Sequence, residues 1–303
     1  MIKVIFLGTS ASVPTKNRSL PSIMIIRNGE QFLFDCGEGT QRQVIRAGLG
    51  LRKRLKIFIT HMHADHVLGL AGILMSLSLT SRRDPLEVYG PSKLQAFIEH
   101  MKELFNFNPS FDVIVRRVSE GIVYQDKGFK IVAFKVKHVA ESYGYALVED
   151  PRPGRFDSKK AEELGIPKGP LWKALQEGKT VVIDGREIRP EDVLGPPRRG
   201  LKIVYSGDTA PTHELVEVSK DADLLIHEAT FDDTLQDRAV SELHTTASQA
   251  AGIALEANAK KLVLTHISPR YEDPSPLLSQ AKKIFENTIV AEDFMSLELK
   301  WAD

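Results

Sequence analysis

Short runs of apolar and β-branched residues, each stopped by a small, polar or glycine position, recur along the chain. They predict strands over Ile2–Leu7, Ser22–Ile26, Gln31–Phe34, Lys56–Ile59, Leu86–Tyr89, Val113–Val118, Ile131–Val136, Gly144–Val148, Ile203–Tyr205, Leu224–Ile226 and Lys261–Leu264. Stretches with helical spacing lie between several of them: Thr40–Ala47 after a glycine turn, Val67–Leu79, Pro91–Phe105 with proline at a favoured first position, Thr245–Glu256 and Ser275–Phe285. Strands alternating with helices predict an α/β (α+β) architecture of sheets with helices outside them. We find no internal repeat and no low-complexity tract.

One stretch breaks the pattern. From about Pro151 to Gly200 the chain carries Pro151, Pro153, Pro167, Pro170, Pro190, Pro196 and Pro197, with Lys159, Lys160, Lys168, Lys173 and Lys179. Its apolar periodicity is weak outside Leu171–Leu175. A segment of this length in a compact domain is usually functional or disordered. It reads as an insertion, 151–200, projecting from a single domain spanning 1–303; a small subdomain covering a sheet edge is the alternative.

Composition narrows the class. The 303 residues are 42% hydrophobic and 26% charged, ordinary for a soluble globular chain, and no apolar run approaches the roughly 20 residues of a membrane-spanning helix. The opening MIKVIFLGTS reads as a strand running into a turn, with no secretory leader. A lone Cys36 excludes an internal disulfide and a multi-thiolate metal site, and fits a reducing, cytoplasmic setting. Net charge is zero, so nucleic-acid binding must come from local patches rather than bulk charge. Candidate patches are Arg52, Lys53, Arg54 and Lys56; Arg82 with Arg83; Arg116 with Arg117; and Arg198 with Arg199, each of which also reads as an ordinary solvated surface.

The densest chemistry is Thr60-His61-Met62-His63-Ala64-Asp65-His66, directly after the apolar run that starts at Lys56. Three imidazoles and a carboxylate on one loop at a strand end suit borderline divalent metals such as zinc. Three further positions repeat the context of strand, small or polar residue, ligand: His138, Asp208 and His266. Taken singly, each is more often a plain loop residue; four strand ends repeating one arrangement point to a shared metal site.

Thr60–His66 matches the HxHxDH signature of the metallo-β-lactamase superfamily, and the rest of the chain resembles the ribonuclease Z family within it. The resemblance rests on Phe34-Asp-Cys-Gly-Glu-Gly-Thr-Gln41, Gly207-Asp208-Thr209, His227-Glu228-Ala229-Thr230, His244-Thr245-Thr246, the stretch from His138 to Tyr145, and Gly165-Ile-Pro-Lys-Gly-Pro170. It implies a four-layer αββα sandwich with a projecting flexible arm. It implies two zinc ions per chain, with manganese or iron as substitutes: His61, His63, His138 and Asp208 on one, Asp65, His66, Asp208 and His266 on the other. It also implies cleavage of precursor tRNA after the discriminator base, and a homodimer. Asp65 would act as general base and His244, oriented by Glu228, as proton donor to the leaving ribose oxygen; alternatively Asp65 is only a ligand, and Glu228 and His244 only brace a loop. The arm residues Lys159, Lys160, Lys168, Gly169, Pro170 and Lys173 would hold tRNA. Lys16 and Arg18, in a loop resembling a PxKxRN motif with Ser19 in place of its asparagine, would sense the RNA 3′ end. His227 reads as a packed or supporting histidine, and His100 and His213 as structural or exposed.

The same metal site serves other chemistries. A small-molecule hydrolase of the superfamily (thioesterase, lactonase or arylsulfatase) is the alternative. It would not need the arm, the His227–Thr230 motif and His244 together. A relative with a large inserted cap is disfavoured, because the stretch from Asp208 to His266 is too short to hold one. A non-catalytic RNA-binding module is disfavoured by the complete ligand set.

Overall fold

The computed structural model describes residues 1–51 and 54–301, so Arg52 and Lys53 lie outside the described residues. The chain divides into two compact units, the larger of residues 1–125, 131–147 and 201–303, the smaller of residues 126–130 and 148–200.

Two seven-stranded sheets organise the larger unit. The first runs Ser296–Leu299, Ile2–Gly8, Ser22–Arg27, Glu30–Phe34, Leu55–Phe58, Leu86–Gly90, Val113–Arg117; its early members pair antiparallel and its later ones parallel. The second runs Thr288–Val290, Leu262–Thr265, Leu224–Glu228, Lys202–Tyr205, Tyr143–Glu149, Phe129–Lys135, Gly121–Asp126, with parallel pairing among the first four.

Alternation along the first sheet builds two interfaces. Leu33 and Ile57 enter a core with Leu70, Ile73, Leu74 and Leu77 of the helix Gly69–Leu79 and Leu94 and Ile98 of the helix Lys93–Leu104. Their neighbours Phe34 and Phe58 face the other way, onto Tyr145 and Tyr205 of the second sheet, with ring centroids 5.5–6.4 Å apart. Both faces of these strands are buried, which is why they read as continuous apolar runs rather than alternating ones. The helices Ala247–Glu256 and Ser275–Lys282 pack on the second sheet's strands Leu262–Thr265 and Thr288–Val290. The result is the expected four-layer αββα sandwich.

Several expectations need correction. The predicted helix Val67–Leu79 begins earlier and in two pieces, Ala64–Val67 and Gly69–Leu79, so Asp65 and His66 sit on a helical turn rather than an open loop. The strands Gly121–Asp126 and Ser296–Leu299 went unpredicted because both are half-exposed and carry charged positions. The helices His213–Ser219 and Gln236–Glu242 are two turns each, too short for a periodic signal.

The smaller unit has its own core. Ala161, Ile166, Leu175, Val181, Ile188 and Val193 are buried, with Phe156, Leu171 and Trp172 packed against them. They come from two short helices, Ser158–Glu163 and Pro170–Gln176, and the hairpin Val181–Ile183 with Arg186–Ile188. Trp172 Nε1 donates to the Ile166 carbonyl at 2.9 Å. Gly169, φ 132°, precedes the second helix in a conformation that favours glycine, and Pro170 opens it. Among the described residues, no helix is long and apolar enough to cross a membrane.

Candidate metal centre

The ligand-type residues gather at carboxyl-terminal strand ends of both sheets. His61 and His63 follow Leu55–Phe58, His138 follows Phe129–Lys135, Asp208 follows Lys202–Tyr205 and His266 follows Leu262–Thr265. Parallel pairing brings such ends to one edge of a sheet, so sequence-distant residues meet there. Asp208 is the centre. Its Oδ2 lies 3.2 Å from His66 Nε2 and from His266 Nε2, 3.8 Å from His61 Nε2 and 4.0 Å from His138 Nε2. Asp65 Oδ2 lies 3.7 Å from His66 Nε2 and 3.6 Å from His266 Nε2, and His138 Nε2 lies 3.1 Å from His63 Nδ1. Donor atoms of His61, His63, His138 and Asp208 form one group within 4.8 Å, and those of Asp65, His66 and His266 another. Gly207, φ 60°, lets the chain turn into Asp208; a Cβ there would meet Thr60 Cγ2 at 3.0 Å.

Two buried carboxylates orient the imidazoles, and they do so in parallel ways. Asp35 Oδ2 lies 2.8 Å from His66 Nδ1 and accepts from Tyr205 Oη at 2.8 Å. Thr60 Oγ1 donates to Asp35 Oδ1 at 2.9 Å and therefore accepts from His61 Nδ1 at 3.0 Å. Glu228 Oε1 lies 2.7 Å from His244 Nδ1. Thr230 Oγ1 donates to Glu228 Oε2 at 2.7 Å and accepts from His266 Nδ1 at 2.8 Å. His138 Nδ1 donates to the Leu243 carbonyl at 3.1 Å. Each of these five Nδ1 atoms is thus engaged outward, which leaves Nε2 toward Asp208, whereas His63 turns its Nδ1 inward, toward His138 Nε2.

Those inward atoms test the fit to a metal. His61 Nε2, His66 Nε2, His266 Nε2 and Asp208 Oδ1 are buried and make no hydrogen bond. Buried polar atoms are otherwise nearly always paired. Four converging ones of nitrogen and oxygen type, around a shared carboxylate, suit divalent cations.

Burial and charge set the protonation. Burial pushes His61 well below the usual imidazole range, and lowers His63 and His138 as well, which favours the neutral form a ligand needs. At His66 burial is outweighed by Asp208 and Asp35, which raise it well above that range, so a cation there would have to displace a proton. Burial alone would raise Asp208, yet His266 and His66 hold it well below the ordinary carboxylate range. Asp65 is likewise lowered against its burial, by His266 and His66. For His244 burial is again outweighed: the Glu228 carboxylate lifts it to about 9.

All seven ligand candidates, with Glu228 and His244, therefore lie together. The remaining candidates lie elsewhere. Lys16 is exposed, but Arg18 points inward: its Nη1 donates to Thr9 Oγ1 at 2.7 Å and to the Ala291 carbonyl at 2.6 Å. In the smaller unit Lys159, Lys160, Lys168 and Lys173 are exposed; Lys168 pairs with Glu162 at 2.8 Å and Lys173 with Glu177 at 4.0 Å. His227 is fully buried and donates to the Glu228 carbonyl at 2.7 Å, while His100 and His213 are exposed. Sequence reasoning gave no role to Asp35, Thr60, Thr230, Tyr205 or Ser12. The signal for Asp35 and Thr60 was their position at strand ends beside motif residues.

Two mixed sheets between helical layers, with a histidine–aspartate cluster at their strand ends, define a protein of the metallo-β-lactamase class. A family model described as a beta-lactamase superfamily domain matches residues 185–267, and one described as anti-Pycsar protein Apyc1 matches residues 2–152. The crystal structure of human tRNase Z, short form, aligns over 98% of this chain and 99% of that one, with a TM-score of 0.72 and 31% identity. A long-form RNase Z from yeast shares the fold at a TM-score of 0.62 and 20% identity, this chain covering 42% of it. Ribonuclease Z of Methanosarcina acetivorans is 47% identical over 99% of both chains, and that of Archaeoglobus fulgidus is 49% identical over 99% of this chain and 98% of its own. The chain belongs to the ribonuclease Z family.

Proposed function

We propose that this protein is a zinc-dependent endoribonuclease that removes the 3′ trailer from precursor tRNA, cutting after the discriminator base and leaving a 3′-hydroxyl. The observation that carries the reading is the complete donor set around Asp208, in a chain that matches ribonuclease Z end to end. His61, His63, His138 and Asp208 would hold one zinc, and Asp65, His66, Asp208 and His266 a second, with Asp208 shared. When bound, the two cations supply positive charge against the phosphate and acidify water.

The chain's own residues do the rest. Asp65 accepts the proton of the attacking water, from a position where it is ionised. His244, protonated at neutral pH because Glu228 lies against it, donates to the departing ribose 3′ oxygen. Lys159, Lys160, Lys168 and Lys173 of the smaller unit contact tRNA phosphates, with the Gly169-Pro170 turn shaping the tip, and such contacts read shape rather than sequence. Lys16 meets the RNA 3′ end. The likeness to ribonuclease Z, not a surface feature, suggests a homodimer, which sedimentation would test. A precursor tRNA substrate is consistent with work in the cytoplasm.

The test is cleavage of a 3′-extended tRNA by wild type, Asp65→Ala and a deletion of residues 151–200. We expect loss of chemistry for the substitution. For the deletion we expect weakened tRNA cleavage with turnover of a small phosphodiester retained. Failure on tRNA with turnover of a thioester or lactone would replace this reading by a small-molecule hydrolase.

A further inference from the structure

The loop from Thr9 to Ser19 is tied down at both ends and along its length. At its base the Thr9 and Ser10 amides both donate to the Ser19 carbonyl at 2.9 Å. Gly8 permits that closure, since a Cβ there would lie 1.8 Å from the Leu20 carbonyl oxygen. Ala11 N donates to the Ile267 carbonyl at 3.0 Å and Ile267 N to the Thr9 carbonyl at 2.9 Å, so the loop is bonded to the residue that follows His266. From the far end of the chain, Asp293 accepts from Thr9 Oγ1 at 2.9 Å, the Ser19 amide at 2.8 Å and Gln43 Nε2 at 3.0 Å. Arg18 closes the frame through Thr9 and Ala291.

Out of this frame Ser12 adopts φ 59°. A non-glycine residue keeps such a conformation only where its surroundings impose it. The consequence is that the Ser12 amide donates to Asp65 Oδ2 at 2.9 Å. That is the same oxygen that faces His66 Nε2 and His266 Nε2. The amide occupies one lone-pair direction of the oxygen and leaves the other toward the histidines.

We propose that the Thr9–Ser19 loop is a positioning device for Asp65, with the Ser12 backbone N–H as the contact and Arg18 and Asp293 as its anchors. The inference rests on the proposed role of Asp65 at the metal centre. It assigns Arg18 to the frame rather than to RNA, and it makes the backbone, not the side chain, the operative part of Ser12.

The test compares changes that keep the N–H (Ser12→Ala, Ser12→Gly) with two that remove it: Ser12→Pro, and replacement of Ser12 by its α-hydroxy acid, which turns the amide into an ester without restricting φ. Zinc affinity is read by competition with a chromogenic chelator, and turnover with bis(p-nitrophenyl) phosphate, in wild-type and Asp65→Ala backgrounds. Ala and Gly should behave as wild type. The ester and Pro forms should lose about 10- to 100-fold in zinc affinity or kcat with KM unchanged, the usual effect of removing a group that orients a ligand. In the Asp65→Ala background they should cause no further loss of zinc affinity. A folded ester variant with wild-type affinity and kcat, or an equal loss in both backgrounds, would overturn the inference alone. A wild-type protein that binds no zinc would overturn it together with the metal-centre reading.

Discussion

At the scale of the residue, the pairing of Glu228 with His244 makes a testable statement about pH. The charged imidazole is the donor form, and the carboxylate 2.7 Å away lifts its pKa to about 9. A group raised in this way works below that value and is lost as pH rises through it. The kcat of a chemistry-limited phosphodiester should therefore show a descending alkaline limb, displaced somewhat below about 9 by the bound cations, which disfavour a nearby positive charge. His244→Ala should remove the limb and lower kcat by about 10²- to 10⁴-fold. Glu228→Gln should move the limb to lower pH. A limb unchanged in His244→Ala would assign the donor elsewhere. Thr230→Val is a sharper probe of the supports: it leaves His266 Nδ1 buried without its acceptor, costing about 1–3 kcal/mol of stability. Competition with a chelator should show zinc binding weakened as well. The ligands themselves were legible because ligand types at repeated strand ends are rare by chance. Asp35 and Thr230 fall inside the motifs quoted above, but their roles were not legible, because each lies in a 2.8 Å contact to a residue distant in the chain.

At the scale of the element, the central strands were legible and the margins were not. Phe34, Phe58 and Leu33 sit in strands buried on both faces, so the stretches Phe32-Leu33-Phe34 and Ile57-Phe58 are apolar without alternation and stand out. The smaller unit builds its core from helices and strands of three to seven residues, too short to repeat a period. That element carries its own prediction. Its lysines lie at least half-exposed in their weak pairs, so Lys168–Glu162 and Lys173–Glu177 are readily exchanged for phosphate. Changing Lys159, Lys160, Lys168 and Lys173 to glutamine should raise KM for precursor tRNA. It should also flatten the salt dependence by roughly one log–log slope unit per lost phosphate contact. Turnover of a small phosphodiester should stay as it was, and an equal loss on both substrates would mean that the changes disturb the catalytic unit instead.

At the scale of the whole molecule, the ligands run from His61 to His266 and come from both sheets. An unfolded chain keeps His61, His63, Asp65 and His66 near one another but cannot bring His138, Asp208 and His266 to them, so cations bind the native state far more tightly than the denatured one. Folding is then stabilised by mass action, by about 4 kcal/mol when free zinc stands a thousand-fold above its Kd. The protein side of the same linkage is visible in the buried Nε2 atoms of His61, His66 and His266, which meet around one carboxylate with no hydrogen-bond partner. Stripping metal with a chelator should therefore do two things at once: abolish cleavage of precursor tRNA, and lower the calorimetric Tm by several degrees or more. Both should return on titration with zinc, and the Tm should climb with its logarithm after the sites fill. The return of activity and of stability should follow the same zinc concentration range, because one set of side chains serves both. A chelated protein that melts unchanged while losing activity would mean that the sheets hold the cluster in place without help, and that the metal contributes chemistry but not cohesion.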